Sequence, residues 1–548
     1  MSVSSTSDVQ ATFVATLVDE WIAAGVTDAV VCPGSRSTPL SLALAARAEI
    51  RTHVRIDERS AAFFALGRAL RSRRPVIIVV TSGTAAMELH AAVAEADLAG
   101  VPLIVVTADR PPELHGIGAP QTVRQRELYA TLVRRYEEPG VARLEAQASW
   151  RPLARRLVES ATSAHAGPVH LNAAFVEPLV GQPGPLPPAR DGGWRTSSTV
   201  DAPFDFDADG RRVLVVLGPG SPEGLGDLAH RRGWVVLTDA TGRGGIAHFD
   251  ALLRHDHVAA TLRPDVVIRG GGLPASKVLG QRLREWACPT VAVSTGAPVA
   301  DPDATVTAVV HASSVDGDAS TPGDRDYVDA WTRYEAVAQS VVSDKESAHD
   351  LDEPSLARTL VSYGAAHDVP LVVGSSMPIR EVEWWSDTAR GPVYANRGAN
   401  GIDGVTSTVL GVAAGERAIG FVGDVTFLHD VSALTDGLGS AGGSAAIVVA
   451  DNGGGGIFAF LPQASVVDET TFSQVFLTPR HHDLAAIARG FGHRATVVSS
   501  RDDLVRALDN TWRADGVHVI VAKVPDVHSN VTRHEELNSA IARALDAQ

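Results

Sequence analysis

The sequence predicts an α/β protein with three consecutive, doubly wound domains whose sheets are mainly parallel. Short apolar runs alternate with helix-length segments of regular apolar spacing along the whole chain. Strand, helix and strand at this spacing form crossover units, which build a parallel sheet covered on both faces. The length of 548 residues agrees, because a chain this long divides into roughly three hydrophobic cores.

The first domain is predicted over residues 1–185. Its strands are expected at 28–32, 52–56, 75–81, 101–107 and 167–172, where short apolar runs occur. Between them, 58–71 and 84–98 have Ala, Leu and Phe at a helical period and are predicted as helices. Residues 181–198 contain several Pro and Gly residues without periodic pattern, so they predict an extended linker.

The second and third domains are predicted over residues 199–342 and 354–548. Strands of the second are expected at 212–217, 234–238, 265–269 and 290–294, followed by an amphipathic helix at 327–342. The polar stretch 343–353 predicts the next linker. Strands of the third are expected near 371–373, 418–422, 446–449 and 517–522.

Composition excludes several classes of function. With 48 basic and 64 acidic residues, the formal net charge is −16, so nucleic-acid and membrane-surface roles are disfavoured. Two distant cysteines, Cys32 and Cys288, argue against a disulfide framework and a Cys-based zinc site. No run approaches the ~20 apolar residues of a membrane span. The first 35 residues contain no Lys or Arg, so we expect a cytoplasmic protein.

A partial dinucleotide-binding pattern occurs in the second domain. Gly218 and Gly220 follow a predicted strand, and Asp239 lies downstream where a ribose-binding acid would be expected. The third glycine of the pattern is replaced by Glu223, whose carboxylate would face the pyrophosphate. We therefore expect an ordinary α/β domain here.

Polar residues follow two predicted strands of the third domain. Asp424 ends one strand, and Asn452 follows the next, shortly before Gly454. In a parallel sheet both positions lie at the carboxyl edge, where such folds bind ligands. A carboxylate, an amide oxygen and a glycine carbonyl are hard oxygen ligands that suit Mg²⁺ beside a diphosphate. A glycine-rich loop between core elements is the simpler alternative.

Two further features lie near strand ends. Glu58 stands in the first turn of an apolar helix, where an acid often serves only as a partner of the helix dipole. Arginines occur at or near strand ends at Arg36, Arg110, Arg380 and Arg397. Surface ion pairing explains most arginines, but their forked donors also suit bidentate binding of carboxylates.

Together these residues resemble the thiamine diphosphate-dependent enzymes. Gly-Asp at 423–424 followed by Asn452 and a glycine carbonyl is similar to their metal motif, and a lone acid in the first domain completes the pattern. Six blocks more closely resemble the 2-succinyl-5-enolpyruvyl-6-hydroxy-3-cyclohexene-1-carboxylate synthase family of menaquinone biosynthesis. They are Pro-Gly-Ser-Arg-Ser-Thr-Pro (33–39), Asp-Glu-Arg-Ser-Ala (57–61), Thr-Ser-Gly-Thr-Ala (81–85), Thr-Ala-Asp-Arg-Pro-Pro-Glu-Leu (107–114), Asn-Arg-Gly-Ala-Asn-Gly-Ile-Asp-Gly (396–404) and Gly-Gly-Gly-Ile-Phe (454–458).

The resemblance implies a set of functional residues. Metal ligands would be Asp424, Asn452 and the Gly454 carbonyl. Thiamine diphosphate would contact Glu58, Ser376, Ile402, Asp424, Thr426, Asn452, Gly454, Ile457 and Phe458. Substrates would contact Arg36, Arg110, Gln121, Lys277, Arg380 and Arg397. Catalytic roles fall to Glu58, Arg36, Gln121, Ser376, Arg380 and Arg397.

Three positions depart from the family pattern or leave its alignment open. An apparent extra residue before Ile457 leaves Asp451 as an alternative ligand to Asn452. Val425 replaces the usual third residue of Gly-Asp-Gly, where the backbone rather than the side chain would face the diphosphate. Pro120 precedes Gln121 where relatives carry Asn, which puts one substrate hydrogen bond in question.

The implied reaction is a decarboxylation coupled to carbon–carbon bond formation. With thiamine diphosphate and Mg²⁺, or Mn²⁺, 2-oxoglutarate would lose carbon dioxide, and the resulting succinyl carbanion equivalent would add to isochorismate. The resemblance also implies a homodimer or homotetramer with active sites at the subunit interface. Another thiamine diphosphate-dependent 2-oxo acid decarboxylase or carboligase is the main alternative. A non-catalytic thiamine diphosphate-binding protein is the second.

Overall fold

The computed structural model describes residues 5–189, 204–312, 314–315, 322–346 and 351–548. Within these ranges the chain forms three mainly parallel sheets accompanied by helices, as predicted. The chain divides into two compact units. Unit 1 comprises Met1–Ser198, Asn396–Glu416 and Asp430–Ser444, and unit 2 comprises Thr199–Ala395, Arg417–His429 and Ala445–Gln548. The boundaries of the three predicted domains stay a prediction.

The elements alternate along the chain. The strands are β1 (Asp28–Val31), β2 (Arg51–Val54), β3 (Val76–Val80), β4 (Leu103–Asp109), β5 (Tyr136–Glu137), β6 (Val169–Ala174), β7 (Val213–Leu217), β8 (Val235–Thr238), β9 (Val266–Gly270), β10 (Thr290–Ser294), β11 (Ala308–His311), β12 (Leu371–Val373), β13 (Val393–Tyr394), β14 (Arg417–Gly423), β15 (Ser444–Asp451), β16 (Arg494–Val498) and β17 (Gly516–Lys523).

The helices are α1 (Thr6–Ala23), α2 (Thr38–Ala45), α3 (Glu58–Ser72), α4 (Thr84–Glu88), α5 (His90–Ala99), α6 (Trp150–Ala161), α7 (Leu225–Arg231), α8 (Phe249–Arg254), α9 (Asp256–Thr261), α10 (Lys277–Trp286), α11 (Arg325–Glu346), α12 (Glu353–His367), α13 (Met377–Trp385), α14 (Val405–Ala413), α15 (Asp424–His429), α16 (Gln463–Val466), α17 (Glu469–Phe472), α18 (Leu484–Gly490), α19 (Arg501–Thr511) and α20 (Val527–Asp546). Most crossovers between parallel strands contain one or more of these helices.

The sheet of unit 1 has the order β2-β1-β3-β4-β6-β5, and all its strand pairs are parallel. Its central strands β3 and β4 are buried along their whole length. Large side chains of α1 and α6, among them Trp21 and Trp150, share a core cluster with Ile77 and Ile104 of these strands. The strand order reverses between β1 and β3, and crevices at such reversals commonly bind ligands.

Unit 2 contains the other two sheets. Their orders are β11-β10-β9-β7-β8 and β13-β12-β14-β15-β17-β16. In the second of these, the order reverses between β12 and β14, so the carboxyl ends of β12, β14 and β15 are neighbours. These are the strand ends from which most of the predicted cofactor residues of the third domain follow.

Helix α3, which begins at Glu58, is tied to its sheet by a buried ion network. Arg68 donates to the carboxylate of Asp28 at 3.2 Å, and His53 lies 2.9 Å from the other oxygen. Asp28 is in β1 and His53 in β2. Loss of one partner from this network would leave a buried charge unpaired. The network therefore fixes α3 on the two strands.

Helices α3 and α14 of unit 1 cross at two glycines. A Cβ on Gly67 would lie 2.3 Å from the carbonyl oxygen of Thr408, and one on Gly411 would lie 2.2 Å from that of Phe64. Only glycine permits this backbone approach. The loop before α14 carries Ile402, so the crossing brings two chain segments that bear predicted cofactor residues into one unit.

Four strands were not predicted, and each lies at an edge of its sheet. They are β5, β11, β13 and β16. Two have only two residues, and the others are largely exposed or half-buried. An edge strand can be covered on fewer sides than a central one, and these four lack the long buried apolar run that predicts a central strand of a parallel sheet.

Two predicted segments need correction. The helix predicted at 84–98 is divided at Leu89, since α4 ends at Glu88 and α5 begins at His90. The linker predicted at 343–353 is largely helical where it is described, since α11 continues to Glu346 and Glu353 begins α12. Residues 347–350 lie outside the described part. Of the linker predicted at 181–198, residues 181–189 form neither helix nor strand and the rest lie outside the described residues.

Among the described residues, no helix combines the length and the apolar character needed to cross a bilayer.

The helix crossing predicts a position-specific loss of stability. Gly411→Ala should lower the free energy of unfolding by about 1–3 kcal/mol, because its methyl group would overlap backbone. The control is Gly490→Ala, where an added Cβ meets nothing within 4 Å and should be neutral or slightly stabilising. Urea unfolding of both variants measures the difference, and equal midpoints would contradict the close crossing.

Candidate active site

The three predicted metal ligands come together in unit 2. Asp424 follows β14 as the first residue of α15, and Asn452 follows the neighbouring strand β15. The Asp424 carboxylate accepts hydrogen bonds from the backbone N–H groups of Val425, at 2.7 Å, and of Gly453 and Gly454. The loop after β15 therefore folds directly over the Asp424 side chain.

Asp424 is a buried acid whose burial is compensated only in part by backbone hydrogen bonds. Its side chain is 4% exposed. Burial raises the pKa of Asp424 to about 7, and the nearby Asp451 carboxylate also raises it, against the lowering effect of the backbone hydrogen bonds. A cation beside this carboxyl group would offset the cost of its desolvation.

The geometry favours Asn452 over Asp451 as the ligand. Asn452 Oδ1 accepts the Gly454 N–H at 3.1 Å, whereas Asp451 forms an ion pair with Lys523. The Gly454 carbonyl accepts one hydrogen bond, from the Gly456 N–H at 2.9 Å, and a carbonyl oxygen has a second lone pair.

This donor set fits a small hard cation. A carboxylate, an amide oxygen and a backbone carbonyl match the ligands that Mg²⁺ takes in proteins, with water and phosphate filling the remaining positions. Among the described residues, no group of three or more His, Cys, Asp and Glu side chains is placed to hold a metal. The Asp424 site is not such a group, because its other two proposed donors are an amide oxygen and a backbone carbonyl.

The remaining predicted cofactor residues of unit 2 surround the same sheet edge. Ser376 directly precedes α13 near the end of β12, and Thr426 is buried in α15. Ile457 and Phe458 belong to the 3₁₀ helix Gly456–Phe460, which follows the glycine loop. All four positions are thus on segments that leave the carboxyl ends of β12, β14 or β15.

A cavity of about 580 Å³ in unit 2 brings together three residues predicted at the site. These are Lys277, Arg380 and Ile457. Arg254, which was not predicted as a substrate residue, lines the same cavity, and so does the carboxylate of Glu535. Trp384, Phe460 and His534 supply aromatic walls.

Buried carboxylates position the cations of this cavity. Glu383 accepts the backbone N–H groups of Ala275 and Ser276, both at 2.8 Å, just before Lys277 begins α10. Asp250 accepts from Ser276 Oγ at 2.5 Å and from Arg254 Nε at 2.8 Å. The acids are thus engaged with backbone and side-chain donors behind Lys277 and Arg254.

Glu58 of unit 1 is a half-buried acid at the start of α3. Asp57 caps the helix by accepting the backbone N–H groups of Arg59 and Ser60, so Glu58 is not needed as the cap. Burial raises the pKa of Glu58, and the Asp57 and Glu88 carboxylates raise it too. The raised pKa favours a protonated carboxyl group that can donate a hydrogen bond.

The other predicted residues near the sheet of unit 1 differ in their surroundings. Arg36 is buried and donates to the Phe175 carbonyl at 2.9 Å and to Glu177 at 3.2 Å. Arg110 follows β4 and is half-buried, whereas Gln121 is exposed in a loop with a φ of 52°. Thus Arg36 already has partners within its own chain.

Arg397 and Ile402 lie on the loop before α14. Glu95 of α5 accepts the N–H groups of Gly398 at 2.6 Å and Ala399 at 2.7 Å, which anchors this loop. Glu95 was not predicted as a functional residue, because a single acid within an apolar helix gives no signal of such a long-range contact.

The partial dinucleotide pattern has a structural explanation. A Cβ on Gly218 would lie 1.9 Å from the carbonyl oxygen of Gly272, so the glycine permits two loops of the second sheet to pack. Asp239 Oδ1 accepts hydrogen bonds from Thr241 and Gly242. Gly218 therefore serves loop packing, and Asp239 serves a local turn.

Comparison with known proteins identifies the family. Residues 11–128 match the N-terminal TPP binding domain of thiamine pyrophosphate enzymes, and residues 390–522 match their C-terminal TPP binding domain. A 2-succinyl-5-enolpyruvyl-6-hydroxy-3-cyclohexene-1-carboxylate synthase from Myxococcus xanthus is 38% identical, with 99% of each chain covered. One from Thermobifida fusca is 40% identical, covering 96% of this chain and 98% of the relative. The chain belongs to this synthase family.

Structural comparison agrees at the level of the fold. The thiamine diphosphate-dependent 4-hydroxybenzoylformate decarboxylase of Rhodococcus jostii RHA1 has a TM-score of 0.67 and 16% identity, covering 94% of this chain and 99% of that one. Membership of the synthase family makes the chain a thiamine diphosphate-dependent carboligase of the transferase class, with a role in menaquinone biosynthesis.

Proposed function

We propose that the enzyme decarboxylates 2-oxoglutarate and adds the resulting succinyl carbanion equivalent to isochorismate. The product is 2-succinyl-5-enolpyruvyl-6-hydroxy-3-cyclohexene-1-carboxylate. The observation that carries this proposal is the meeting of Asp424, Asn452 and Gly454 at neighbouring strand ends, in a chain of the synthase family.

The proposed cofactor residues have different roles. Asp424, Asn452 and the Gly454 carbonyl would hold Mg²⁺, or Mn²⁺, against the diphosphate. Ser376, Thr426, Ile457 and Phe458 would line the cofactor from unit 2, while Glu58 and Ile402 would contact its pyrimidine side. Thiamine diphosphate, when bound, supplies the carbanion chemistry that the side chains of this protein lack.

Glu58 would hold a proton for the cofactor. Burial and nearby acids raise its pKa, which favours the protonated carboxyl group that can donate a hydrogen bond to a pyrimidine nitrogen. An ionised carboxylate could only accept one.

Basic residues would bind the two dicarboxylate substrates. Arg254, Lys277 and Arg380 line one cavity of unit 2. Arg36, Arg110, Gln121 and Arg397 are the proposed substrate residues of unit 1. Their positive charges would counter the negative charge of the whole protein, and the Trp384 and Phe460 walls would exclude water beside the reacting carbon.

Product analysis tests the reaction. With thiamine diphosphate and Mg²⁺, the synthase product should form from 2-oxoglutarate plus isochorismate, and mass spectrometry detects it. Pyruvate in place of 2-oxoglutarate should lower kcat/KM by about 10- to 150-fold, because it lacks the second carboxylate, which would form a charge-assisted pair with a basic residue. Carbon dioxide release without the adduct would favour another decarboxylase of the superfamily.

Glu58→Gln tests whether the chain is a catalyst or only a cofactor-binding protein. The variant should still bind thiamine diphosphate but lose most activity, because an amide cannot transfer a proton as a carboxyl group does. Glu145→Gln, the same exchange at an exposed acid of unit 1 that has no part in the Glu58 environment, is the control. Unchanged turnover in Glu58→Gln would remove the proposed role.

Metal removal tests the cation site. Dialysis against a chelator should release thiamine diphosphate, measured after ultrafiltration, because the proposed cation would screen the diphosphate from Asp424. Asp424→Asn should raise the Mg²⁺ concentration needed for retention by about 10-fold or more. Asp451→Asn, the same exchange at the residue paired with Lys523, should change it much less. Full retention in chelator would contradict the site.

The last prediction concerns the oligomeric state. We propose a homodimer or homotetramer with active sites at the subunit interface, the most common symmetric arrangement being the twofold dimer. Light scattering coupled to size-exclusion chromatography measures the mass, and an active monomer would contradict the proposal.

A further inference from the structure

Glu353 is a buried acid for which the sequence predicted no functional role. It is the first residue of α12 and is 2% exposed. Its Oε1 accepts a hydrogen bond of 2.8 Å from Nδ2 of Asn452, the proposed metal ligand. The contact joins two segments that are distant in sequence, so neither segment alone reveals it.

This hydrogen bond decides how the Asn452 amide is oriented. With Nδ2 donated to Glu353, Oδ1 is held at the opposite end, where it accepts the Gly454 N–H at 3.1 Å. A reversed amide would set oxygen against the Glu353 acceptor and NH₂ against the Gly454 donor. A Cβ on Gly456 would lie 2.7 Å from Nδ2, so the amide is also closely packed.

A purely structural role explains Glu353 less well. Burying a carboxyl group costs free energy that an apolar side chain of similar size would avoid. The nearby Glu381 carboxyl group adds repulsion. The start of α12 is already capped by Asp352, which accepts the Ser355 N–H at 2.8 Å. Helix capping therefore does not require Glu353.

We propose that Glu353 is a positioning residue of the metal site, which fixes the Asn452 amide with its oxygen turned to the cation. The proposal rests on the metal site proposed above. Glu353 acts through Asn452 and does not itself bind the metal. An acceptor at position 353, rather than a negative charge, is what the geometry requires.

The test titrates Mg²⁺ into the full-length protein at fixed thiamine diphosphate, with cofactor binding followed by ultrafiltration. Glu353→Leu, which has no acceptor, should raise the half-saturating Mg²⁺ concentration by about 10- to 100-fold. Glu353→Gln keeps an acceptor oxygen and should stay within about threefold of the wild type. An unchanged value in Glu353→Leu, or equal weakening in both variants, overturns the proposal.

A second pair of variants keeps the test decisive if Glu353→Leu does not fold. Asn452→Asp places an oxygen opposite Glu353 and should weaken Mg²⁺-dependent binding. Adding Glu353→Gln to that background supplies an amide donor and should restore most of the loss, whereas no restoration overturns the proposal. The wild type is the separate control for the metal site, since cofactor binding without Mg²⁺ there would refute the site rather than the positioning role.

Discussion

The burial of Asp424 at the carboxyl edge of a parallel sheet is the constraint on which the unit 2 site depends. A carboxylate removed from water costs several kcal/mol unless it is paired. Backbone N–H groups of the loop after β15 provide part of the compensation. A Cβ on Gly454 would lie 2.5 Å from the Leu477 carbonyl oxygen, so this loop approaches only because it is glycine-rich. The acid and the glycines are thus two parts of one arrangement.

In unit 1, close backbone packing as well as polar contacts fixes the segments that bear predicted cofactor residues. The α3–α14 crossing at Gly67 and Gly411 joins a helix near the start of the chain to one far downstream. The loop before α14 is held separately by Glu95, which accepts two consecutive backbone N–H groups. Because this loop is fixed both by Glu95 and by the helix crossing that follows it, it loses little further conformational freedom when it binds a ligand.

Features that depend on residues close together in the sequence could be predicted, whereas features that depend on contacts between distant segments could not. Central strands are predicted by their continuous apolar runs, whereas the four unpredicted edge strands are largely exposed or half-buried, or only two residues long. Asp424 and Asn452 were predicted to share a sheet edge because strand ends carry local signals. Glu353 was assigned to a polar linker, and Arg254 was not predicted as a substrate residue, because both depend on contacts between distant segments. The same holds for the Lys523 ion pair that distinguishes Asp451 from Asn452.

The basic residues that line the unit 2 cavity give it a local charge opposite in sign to the net charge of the chain. A chain of formal net charge −16 repels dicarboxylates at long range. Within the cavity, however, Arg254, Lys277 and Arg380 face one lining carboxylate, Glu535. Asp250 and Glu383 accept hydrogen bonds behind the lining cations. Because ionic screening limits charge effects to about 8–10 Å, selectivity for the proposed dicarboxylate substrates would have to come from these few contacts and not from the protein surface.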